Sequence, residues 1–300
     1  MSADSLQVQI DGEFFPEEEA KISVFDHGLL YGDGVFEGIR FYCGRVFRLE
    51  EHIDRLYDSA KAIHLTIPVA PPEMAEAVLA TIRANGLKDG YVRLVVTRGS
   101  GGLGLSPHRC EKASIIVIAS TIALYPEETY QNGLKVVTCG TRRPTHDSLS
   151  PAVKSLNYLS NVMAKVEALA AGADEGLMLN AEGRVAECTG DNVFVVKNGS
   201  ISTPPVHAGM LDGITRKAVI DLAREAGYEL REVEMSRYEL YTADEFFLTG
   251  TAAEVVPVRQ FDERVIGDGS VGPVTHRLMT DFRRMVETTG TPIYEGVSVS

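Results

Sequence analysis

Residues 150–161 read SPAVKSLNYLSN and place Lys154 between a proline-containing loop and a run of periodic apolar residues. Apolar residues recur at helical spacing from Leu156 towards Gly172, so the sequence predicts a helix directly after the lysine. Ser150 precedes the lysine by four positions, so the S-x-x-K arrangement of serine acyl enzymes does not occur here. Lys154 is then either an ordinary solvated cation or a catalytic amine. Only the other motifs along the chain can distinguish the two.

The bulk composition is that of a globular protein. The chain has 300 residues, 44% of them hydrophobic and 24% charged, which is enough for two domains that each bury a core. A formal net charge of −13 argues against a nucleic-acid partner, because a phosphate backbone would be repelled. The first residues lack the features of a signal peptide, and no apolar stretch reaches membrane-spanning length, so we expect no membrane partner.

The cysteines give no sign of a metal site or of a disulfide framework. They are widely scattered, without a CxxC pair or a histidine at ligand spacing, at Cys43, Cys110, Cys139 and Cys188. The simplest interpretation is a reduced, cytoplasmic protein without bound metal, in which each cysteine is a small buried apolar residue.

The segment order predicts a small N-terminal α+β domain over residues 1–124. LQVQIDGEFF and GVFEGIRFYCGRVF predict β-hairpins, EHIDRLYDSAKAI and PPEMAEAVLATIRANG predict helices, and YVRLVVTR and ASIIVIAS return to strand. Proline, acids and Asn-Gly then interrupt the pattern, which predicts an interdomain loop over residues 125–133. Residues 134–300 would form the larger C-terminal domain, with a dense β region, a hairpin at NVFVVKNGSIST and helices near 215–226 and 274–287.

The glycine-rich stretch at residues 99–104 satisfies G-x-G-x-x-G but lacks the context of a dinucleotide site. That motif works when a helix begins behind the glycines and meets a pyrophosphate with its N-terminus. LSPHRC follows instead, with Pro107 and no apolar periodicity. We therefore interpret the stretch as a loop near a functional site and not as an NAD fingerprint.

Several residues could be the helpers that a catalytic lysine needs if it holds pyridoxal phosphate. Glu187 ends a predicted strand and could face a pyridine nitrogen, although an ordinary surface acid would look the same. The stretch 213–215 opens a predicted helix whose free N–H groups could bind phosphate, or Thr215 is a plain N-cap. Arg55 and Tyr158 could likewise have no role in a site, the first as a solvated arginine and the second as a core tyrosine. Each signal is weak alone, and their order along the chain is the stronger observation.

That order resembles the branched-chain amino acid aminotransferases of pyridoxal-phosphate fold type IV. The resemblance covers roughly residues 8–278 without a large insertion, and it rests on the stretches YGDGVFEGIR, HIDRL, YVR, KSLNYLSN, AECTGDNVF, LDGITR and FFLTGTAAEVVPV. It implies the two-domain α+β fold of the class IV aminotransferases, with pyridoxal 5′-phosphate at the domain interface in an α/β-barrel-like cofactor domain. It also implies transfer of the amino group of L-leucine, L-isoleucine or L-valine to 2-oxoglutarate, which becomes L-glutamate, by way of pyridoxamine phosphate.

The resemblance also assigns roles to residues. Lys154 would bind the cofactor covalently and shuttle the proton, Glu187 would face the pyridine nitrogen, and Tyr158 would hydrogen-bond the phenolic oxygen. The phosphate would be held by Arg55, Gly213, Ile214, Thr215 and Thr251. The substrate would be bound by Tyr31, Phe36, Gly38, Tyr91, Arg93, Leu105, Thr251 and Ala252, with Arg40 supporting this network. Because Tyr31 and Leu105 would come from the neighbouring subunit, the resemblance implies a homodimer or a larger homo-oligomer with a shared active site.

Other activities of the same fold stay open from the sequence. D-amino acid aminotransferases, (R)-amine transaminases and aminodeoxychorismate lyases share a similar lysine segment. Arg98 in "TRG" is similar to an arginine that binds substrate carboxylate in the D-amino acid enzymes, so we count it among the candidate substrate residues. "FEGIR", "YVR" and "GTAAE" favour the branched-chain class.

Overall fold

The computed structural model describes residues 5–294, which divide into two compact units. The first unit contains residues 5–122, Val153–Asn157 and 286–294, and the second contains Ala123–Ala152 and Tyr158–Met285. The division after Ile122 lies close to the predicted boundary at residue 124. The segment that carries Lys154 differs from the prediction, since it joins the first unit and not the C-terminal range 134–300.

The secondary structure follows the predicted order of segments. In chain order the strands are β1 Gln7–Ile10, β2 Glu13–Pro16, β3 Gly34–Tyr42, β4 Arg45–Val46, β5 Gly90–Thr97, β6 Ser114–Ser120, β7 Leu134–Thr138, β8 Glu175–Leu179, β9 Val185–Cys188, β10 Asn192–Lys197, β11 Ser200–Thr203, β12 Leu230–Glu232, β13 Glu245–Gly250, β14 Glu254–Phe261, β15 Arg264–Val265 and β16 Thr291–Pro292. The α-helices are α1 His27–Tyr31, α2 Leu49–Ala62, α3 Pro71–Ala84, α4 Glu127–Asn132, α5 Leu159–Ala170, α6 Ile214–Glu225, α7 Arg237–Tyr241 and α8 Pro273–Thr288.

The first unit is built on an antiparallel sheet with the strand order β16-β4-β3-β5-β6-β1-β2. Helices α2 and α3 cover one face of it, where alternate residues of the central strands, such as Ile39 and Leu94, are completely buried against Leu56 and Val78. Since side chains alternate along a strand, the residues between these core positions lie on the other face. The face that α2 and α3 do not cover therefore carries Phe36, Gly38 and their cross-strand neighbours.

The second unit is a mixed sheet with the path β12-β11-β10-β13-β14-β7-β8-β9, and β15 pairs with β14. β9 also contacts β10, so the path from β10 to β9 returns to its start. The hairpin between β10 and β11 turns at Asn198 and Gly199, whose φ angles are 50° and 77°. Two consecutive positive φ angles are those of a type I′ turn, as the Asn-Gly pair predicts.

Three local expectations need correction. Residues 127–132 form helix α4 inside the range predicted as an interdomain loop. Pro126 is its N-cap, and the carboxylates of Glu127 and Glu128 in the first turn favour a helix start. The apolar stripe that predicted α5 lies on the exposed side, with Leu159 72% and Val166 51% exposed, while Ala164 and Ala168 are buried. Of the cysteines, Cys139 and Cys188 are buried as expected, but the other two are not: position 43 is exposed at a hairpin turn and position 110 is half-buried.

In the part of the chain that is described, no helix has the length and apolarity needed to cross a membrane.

Candidate active site

Lys154 is held by its backbone against the open edge of strand β3. The Phe36 N–H donates to the Lys154 carbonyl at 3.0 Å, and the Leu156 N–H donates to the Gly34 carbonyl at 2.9 Å. The Lys154 N–H donates to Oγ of Ser59 at 3.1 Å, which fixes the segment to α2 as well. These contacts explain why the segment belongs to the first unit. The lysine is thus anchored on both sides instead of lying in a loose loop.

The Lys154 side chain lies over an aromatic ring that a second cation also contacts. Its Nζ is 4.6 Å from the centre of the Phe36 ring, and the guanidinium of Arg93 is 4.7 Å from the same ring. Arg93 also lies 5.5 Å from the ring of Tyr91. Cations are attracted to the electron-rich faces of such rings, so the two rings hold both charges in place. The structure therefore brings four of the predicted residues together on one face of the sheet.

Gly38 is required by its aromatic neighbour. It pairs with Arg93 across the sheet, and a Cβ atom added at Gly38 would lie 2.0 Å from the hydroxyl oxygen of Tyr91. The Tyr91 hydroxyl therefore occupies the space that any larger residue would need. An alanine here would displace this tyrosine from the face that carries Phe36.

On the opposite side of β3, Glu37 forms a buried ion pair with the predicted phosphate ligand Arg55. Nε and Nη2 of Arg55 donate to the two oxygens of Glu37 at 2.7 and 2.8 Å. Nδ1 of His52 lies 2.7 Å from the same carboxylate and must carry its proton, because a carboxylate only accepts. Burial alone would raise the pKa of Glu37, but the charges of Arg55 and His52 lower it to about 2. Burial in turn lowers the pKa of His52. Glu37 and His52, which the sequence did not indicate, orient Arg55.

Tyr31 holds the glycine-rich loop. Its hydroxyl accepts a hydrogen bond from the Gly104 N–H at 2.9 Å, and Nε2 of His27 lies 3.0 Å from the Gly102 carbonyl. Leu105, which follows in this loop, is 81% exposed. Tyr31 therefore contacts the loop in which Leu105 follows Gly104, and both residues are exposed.

The guanidinium of Arg98, one of the predicted substrate residues, is paired within the first unit. Its Nε and Nη2 donate to the carboxylate of Asp33 at 2.8 Å each, and the guanidinium also donates to the carbonyls of His64 and Ile63. Four of the five N–H donors are thus used within the first unit, and the residue is buried. Arg98 ties the end of β5 to the segments around Asp33 and His64 and has no free fork for a carboxylate.

Arg40 has a supporting position, consistent with its predicted role. Its guanidinium lies 4.9 Å from the centre of the Tyr42 ring, and Arg40 pairs with Tyr91 across the sheet. It therefore packs beside the tyrosine that covers Gly38.

In the second unit, Glu187 is a buried anion with an arginine partner. Nη2 of Arg143 lies 2.9 Å from Oε1 of Glu187, and the Leu211 N–H donates to Oε2 at 3.1 Å. Both side chains are less than a tenth exposed. Because a buried carboxylate needs a compensating charge, Arg143 stabilises the ionised form of Glu187. Arg143 was not among the predicted residues, although the stretch TRRP between a strand and the lysine segment was a signal for it.

Asn161 fixes the orientation of Arg143. Its Oδ1 accepts from Nη1 of Arg143 at 2.9 Å, and its Nδ2 donates to the Thr189 carbonyl at 2.7 Å. Tyr158 is the N-cap residue of the helix that carries Asn161, so it begins α5 instead of lying inside it. The predicted tyrosine and the Glu187 pair are therefore tied to the same helix.

The N-terminus of helix α6 is buried and has no side-chain cap. Gly213 is its N-cap and provides no side-chain acceptor, while Ile214 and Thr215 are buried. The first N–H groups of a helix lack intrahelical partners, and a buried, uncapped helix start needs an external acceptor. A Cβ at Gly213 would also lie 2.0 Å from Oδ1 of Asn192, so glycine is needed there. A phosphate group fits this end of the helix.

Thr251 and Ala252 lie in the turn of the β13–β14 hairpin. Gly250 and Glu254 are the last paired residues, and Glu254 has a φ angle of 61°, so the three residues between them form a tight loop. Thr251 and Ala252 are half-buried in this turn.

Comparison with known proteins identifies the family. Residues 34–261 match the family model described as amino-transferase class IV, which is more than half of the chain. The chain belongs to the class IV aminotransferases. Among curated proteins, it is 51% identical over 290 residues to a putative branched-chain-amino-acid aminotransferase of Methanocaldococcus jannaschii, covering 97% of this chain and 100% of the relative. The resemblance inferred from the order of the motifs is confirmed.

Solved structures share the fold. The branched-chain amino acid aminotransferase of T.th. with pyridoxamine 5′-phosphate superposes with a TM-score of 0.91 at 42% identity, over 94% of each chain. The same enzyme complexed with N-(5′-phosphopyridoxyl)-L-glutamate gives a TM-score of 0.89 at 41% identity, again over 94% of each chain. The predicted class IV aminotransferase fold is therefore confirmed.

Proposed function

We propose that this class IV aminotransferase uses pyridoxal phosphate to move the amino group of L-leucine, L-isoleucine or L-valine to 2-oxoglutarate. The observation that carries the proposal is the position of Lys154, which is anchored to the edge of β3 with its Nζ over the Phe36 ring. A lysine fixed in this way beside apolar and aromatic groups suits amine chemistry better than a solvated surface role. The branched-chain names of the curated relative and the solved structures support the substrate class.

The residues present fit pyridoxal phosphate. The buried, uncapped start of α6 at Gly213, Ile214 and Thr215 suits the phosphate. We propose that Arg55 and Thr251 would donate to it as well. Tyr158 is the candidate donor to the phenolic oxygen. Glu187 is the candidate acid that would face the pyridine nitrogen. When bound, the cofactor supplies an electron sink for the substrate α-carbon.

Two side chains perform the proton work. Lys154 would hold the cofactor through its amine, and its Nζ would accept and return the proton of the substrate α-carbon. Glu187, which is paired with Arg143, would face the cofactor's ring nitrogen and hold a proton there. Arg143 acts through Glu187 and is a positioning residue.

Substrate recognition has to satisfy an aliphatic side chain in one half-reaction and a carboxylate in the other. We propose that Phe36 and Gly38 form the apolar wall together with Tyr31 of the partner subunit, and that Arg93 meets the γ-carboxylate of glutamate. Arg93 rests on the rings of Phe36 and Tyr91, so its charge has a partner when an aliphatic substrate is bound. The complex of the T.th. enzyme with a phosphopyridoxyl-glutamate supports glutamate as the second substrate. Tyr91 and the backbone of Thr251 and Ala252 would receive the α-carboxylate.

The structure gives no support for D-amino acid activity within residues 5–294. Arg98 was the one feature that favoured it, and the guanidinium of Arg98 is paired with Asp33. We therefore propose no second function.

We also infer that the chain works as a homodimer or a larger homo-oligomer in the cytoplasm. The exposed apolar side chains of α5, with Leu159 72% exposed, and those near Tyr31, with Leu105 81% exposed, are surfaces that a second copy would cover. Each of the four cysteines, all within residues 5–294, is free, which suits a reducing compartment.

The proposal is tested by absorption spectroscopy of the protein reconstituted with pyridoxal phosphate. L-leucine, D-alanine and (R)-1-phenylethylamine are added in separate cuvettes. We expect conversion to the pyridoxamine phosphate spectrum with L-leucine, and its reversal by 2-oxoglutarate. A faster conversion with D-alanine or the amine would contradict the assigned substrate class, and a protein without a visible chromophore would contradict the cofactor.

A further inference from the structure

Asp191 is a buried acid that the proposed reaction does not use. It lies in the turn between β9 and β10, and only 5% of its surface is exposed. Because Asn192 pairs with Thr249 in the antiparallel ladder, Asp191 stands opposite Gly250. A Cβ added at Gly250 would lie 1.9 Å from Oδ1 of Asp191. The carboxyl group therefore occupies the place of a side chain at Gly250, directly behind the turn that contains Thr251.

Lys165, the cation that acts on Asp191, is already paired. Nζ of Lys165 on α5 lies 2.8 Å from Oε2 of Glu175 on β8. The other oxygen of Glu175 accepts from the Thr189 hydroxyl at 2.5 Å and from the Gly176 N–H at 2.8 Å. The Glu175 carboxyl group thus has donors on both of its oxygens. Its charge faces Asp191, and the positive charge of Lys165 offsets it only in part.

The remaining titratable neighbours do not help Asp191 to ionise. They are Glu187 and Cys188 on β9 and Tyr125 before α4. Glu187 is an anion paired with Arg143, and burial raises the pKa values of both Cys188 and Tyr125, so these two stay neutral. Within residues 5–294, no hydrogen bond is formed to the Asp191 carboxyl group. Burial and then the charge of Glu175 raise the pKa of Asp191 to about 8.

We infer that Asp191 is a positioning residue whose neutral carboxyl group supports the Gly250 backbone and keeps the Thr251–Ala252 turn able to bind an anion. The inference rests on the proposed function, in which this turn receives the α-carboxylate. A carboxylate at the same place would set a negative charge behind the turn, without a donor to stabilise it. Affinity for anionic substrates then falls as Asp191 loses its proton, while the chemistry at Lys154 is not directly affected.

The first test measures melting temperature against pH for the cofactor-loaded protein and its Asp191→Asn variant. The folded pKa of Asp191 lies above its value in an unfolded chain, so the folded state binds more protons between them and stability falls as pH rises towards 8. The amide cannot ionise. We expect Asp191→Asn to melt above the wild type at pH 9 and to show a smaller difference at pH 5. Glu182→Gln, an exposed carboxyl-to-amide change in the same unit, is the control and should leave the curve unchanged.

The second test compares steady-state kinetics with 2-oxoglutarate, whose charge is constant from pH 7 to 9.5. We expect the KM of the wild type to rise several-fold over this range relative to its kcat, and the KM of Asp191→Asn to stay flat. Asp191→Ser provides the same comparison if the asparagine variant does not fold. Parallel melting curves for wild type and Asp191→Asn overturn the inference, and so do parallel KM profiles. The melting curves require no substrate, so they judge Asp191 even if L-leucine fails to react and the proposed function is wrong.

Discussion

Glu37 and Asp191 are both buried acids beside residues of the proposed site, and their environments shift them in opposite directions. Glu37 has two N–H donors of Arg55 and the imidazole of His52 on its carboxylate, and its pKa falls to about 2. Asp191 faces a second carboxylate, that of Glu175, and its pKa rises to about 8. Burial acts on both acids in the same sense, towards the neutral form, so the partners alone decide the difference.

This difference shows how one chain supplies both kinds of acid to one reaction. Glu37 is surrounded by N–H donors and stays ionised, and it thereby fixes Arg55, the proposed phosphate ligand. Asp191, behind the Thr251–Ala252 turn, has the carboxylate of Glu175 as its strongest charged neighbour, and Lys165 offsets that charge only in part. The two acids also affect stability with opposite signs: the ionised Glu37 stabilises the fold at neutral pH, and the buried Asp191 makes the fold less stable as the pH rises.

The largest effect is expected for Arg55→Met. Removing one partner of a buried ion pair leaves an uncompensated charge, which costs about 3–5 kcal/mol of unfolding free energy. The variant should therefore melt well below the wild type, both with and without added pyridoxal phosphate. Lys61→Met, an exposed change on the same helix, is the control and should have almost no effect. Equal melting temperatures for Arg55→Met and the wild type would show that Glu37 is not held by this pair.

A smaller, pH-dependent effect is expected for Glu37→Gln. The folded pKa of Glu37 is lowered from 4.5 to about 2, so its ionic contribution is complete above pH 4.5 and is lost as the pH falls towards 2. The melting temperature of the wild type should exceed that of Glu37→Gln most clearly at pH 6, and this gap should narrow at pH 3. Glu50→Gln, an exposed change on α2, should show a constant and negligible gap. A gap that widens in acid would contradict the assignment.

Features with a local cause could be predicted from the sequence. The Asn198-Gly199 turn, the helix start at Gly213 and the periodic helices α2 and α3 depend on φ preferences, glycine and apolar spacing within a few residues. The segment order also led to the family, because its motifs follow one another without a large insertion. Lys154 and Phe36 were expected in one site, and the structure brings them within 4.6 Å, although their roles remain proposals.

Features that depend on distant partners could not be predicted. Arg98 looked like a carboxylate ligand because the sequence does not show that its guanidinium is paired with Asp33, 65 residues away. Arg143 was missed for the same reason, since its partner Glu187 lies on β9, far along the chain from the irregular segment that carries Arg143. The exposed stripe of α5 was ambiguous in the sequence, because an apolar face indicates burial without telling whether the cover is the same chain or another copy.

The central claim, that Lys154 is the amine that binds pyridoxal phosphate, is tested most directly by chemical trapping. The reconstituted protein is reduced with borohydride, digested and analysed by mass spectrometry. We predict a phosphopyridoxyl label on the peptide that contains Lys154, and its loss when L-leucine is added before the reductant. A label on a different lysine, or a Lys154→Ala variant that is labelled as well as the wild type, would contradict the account.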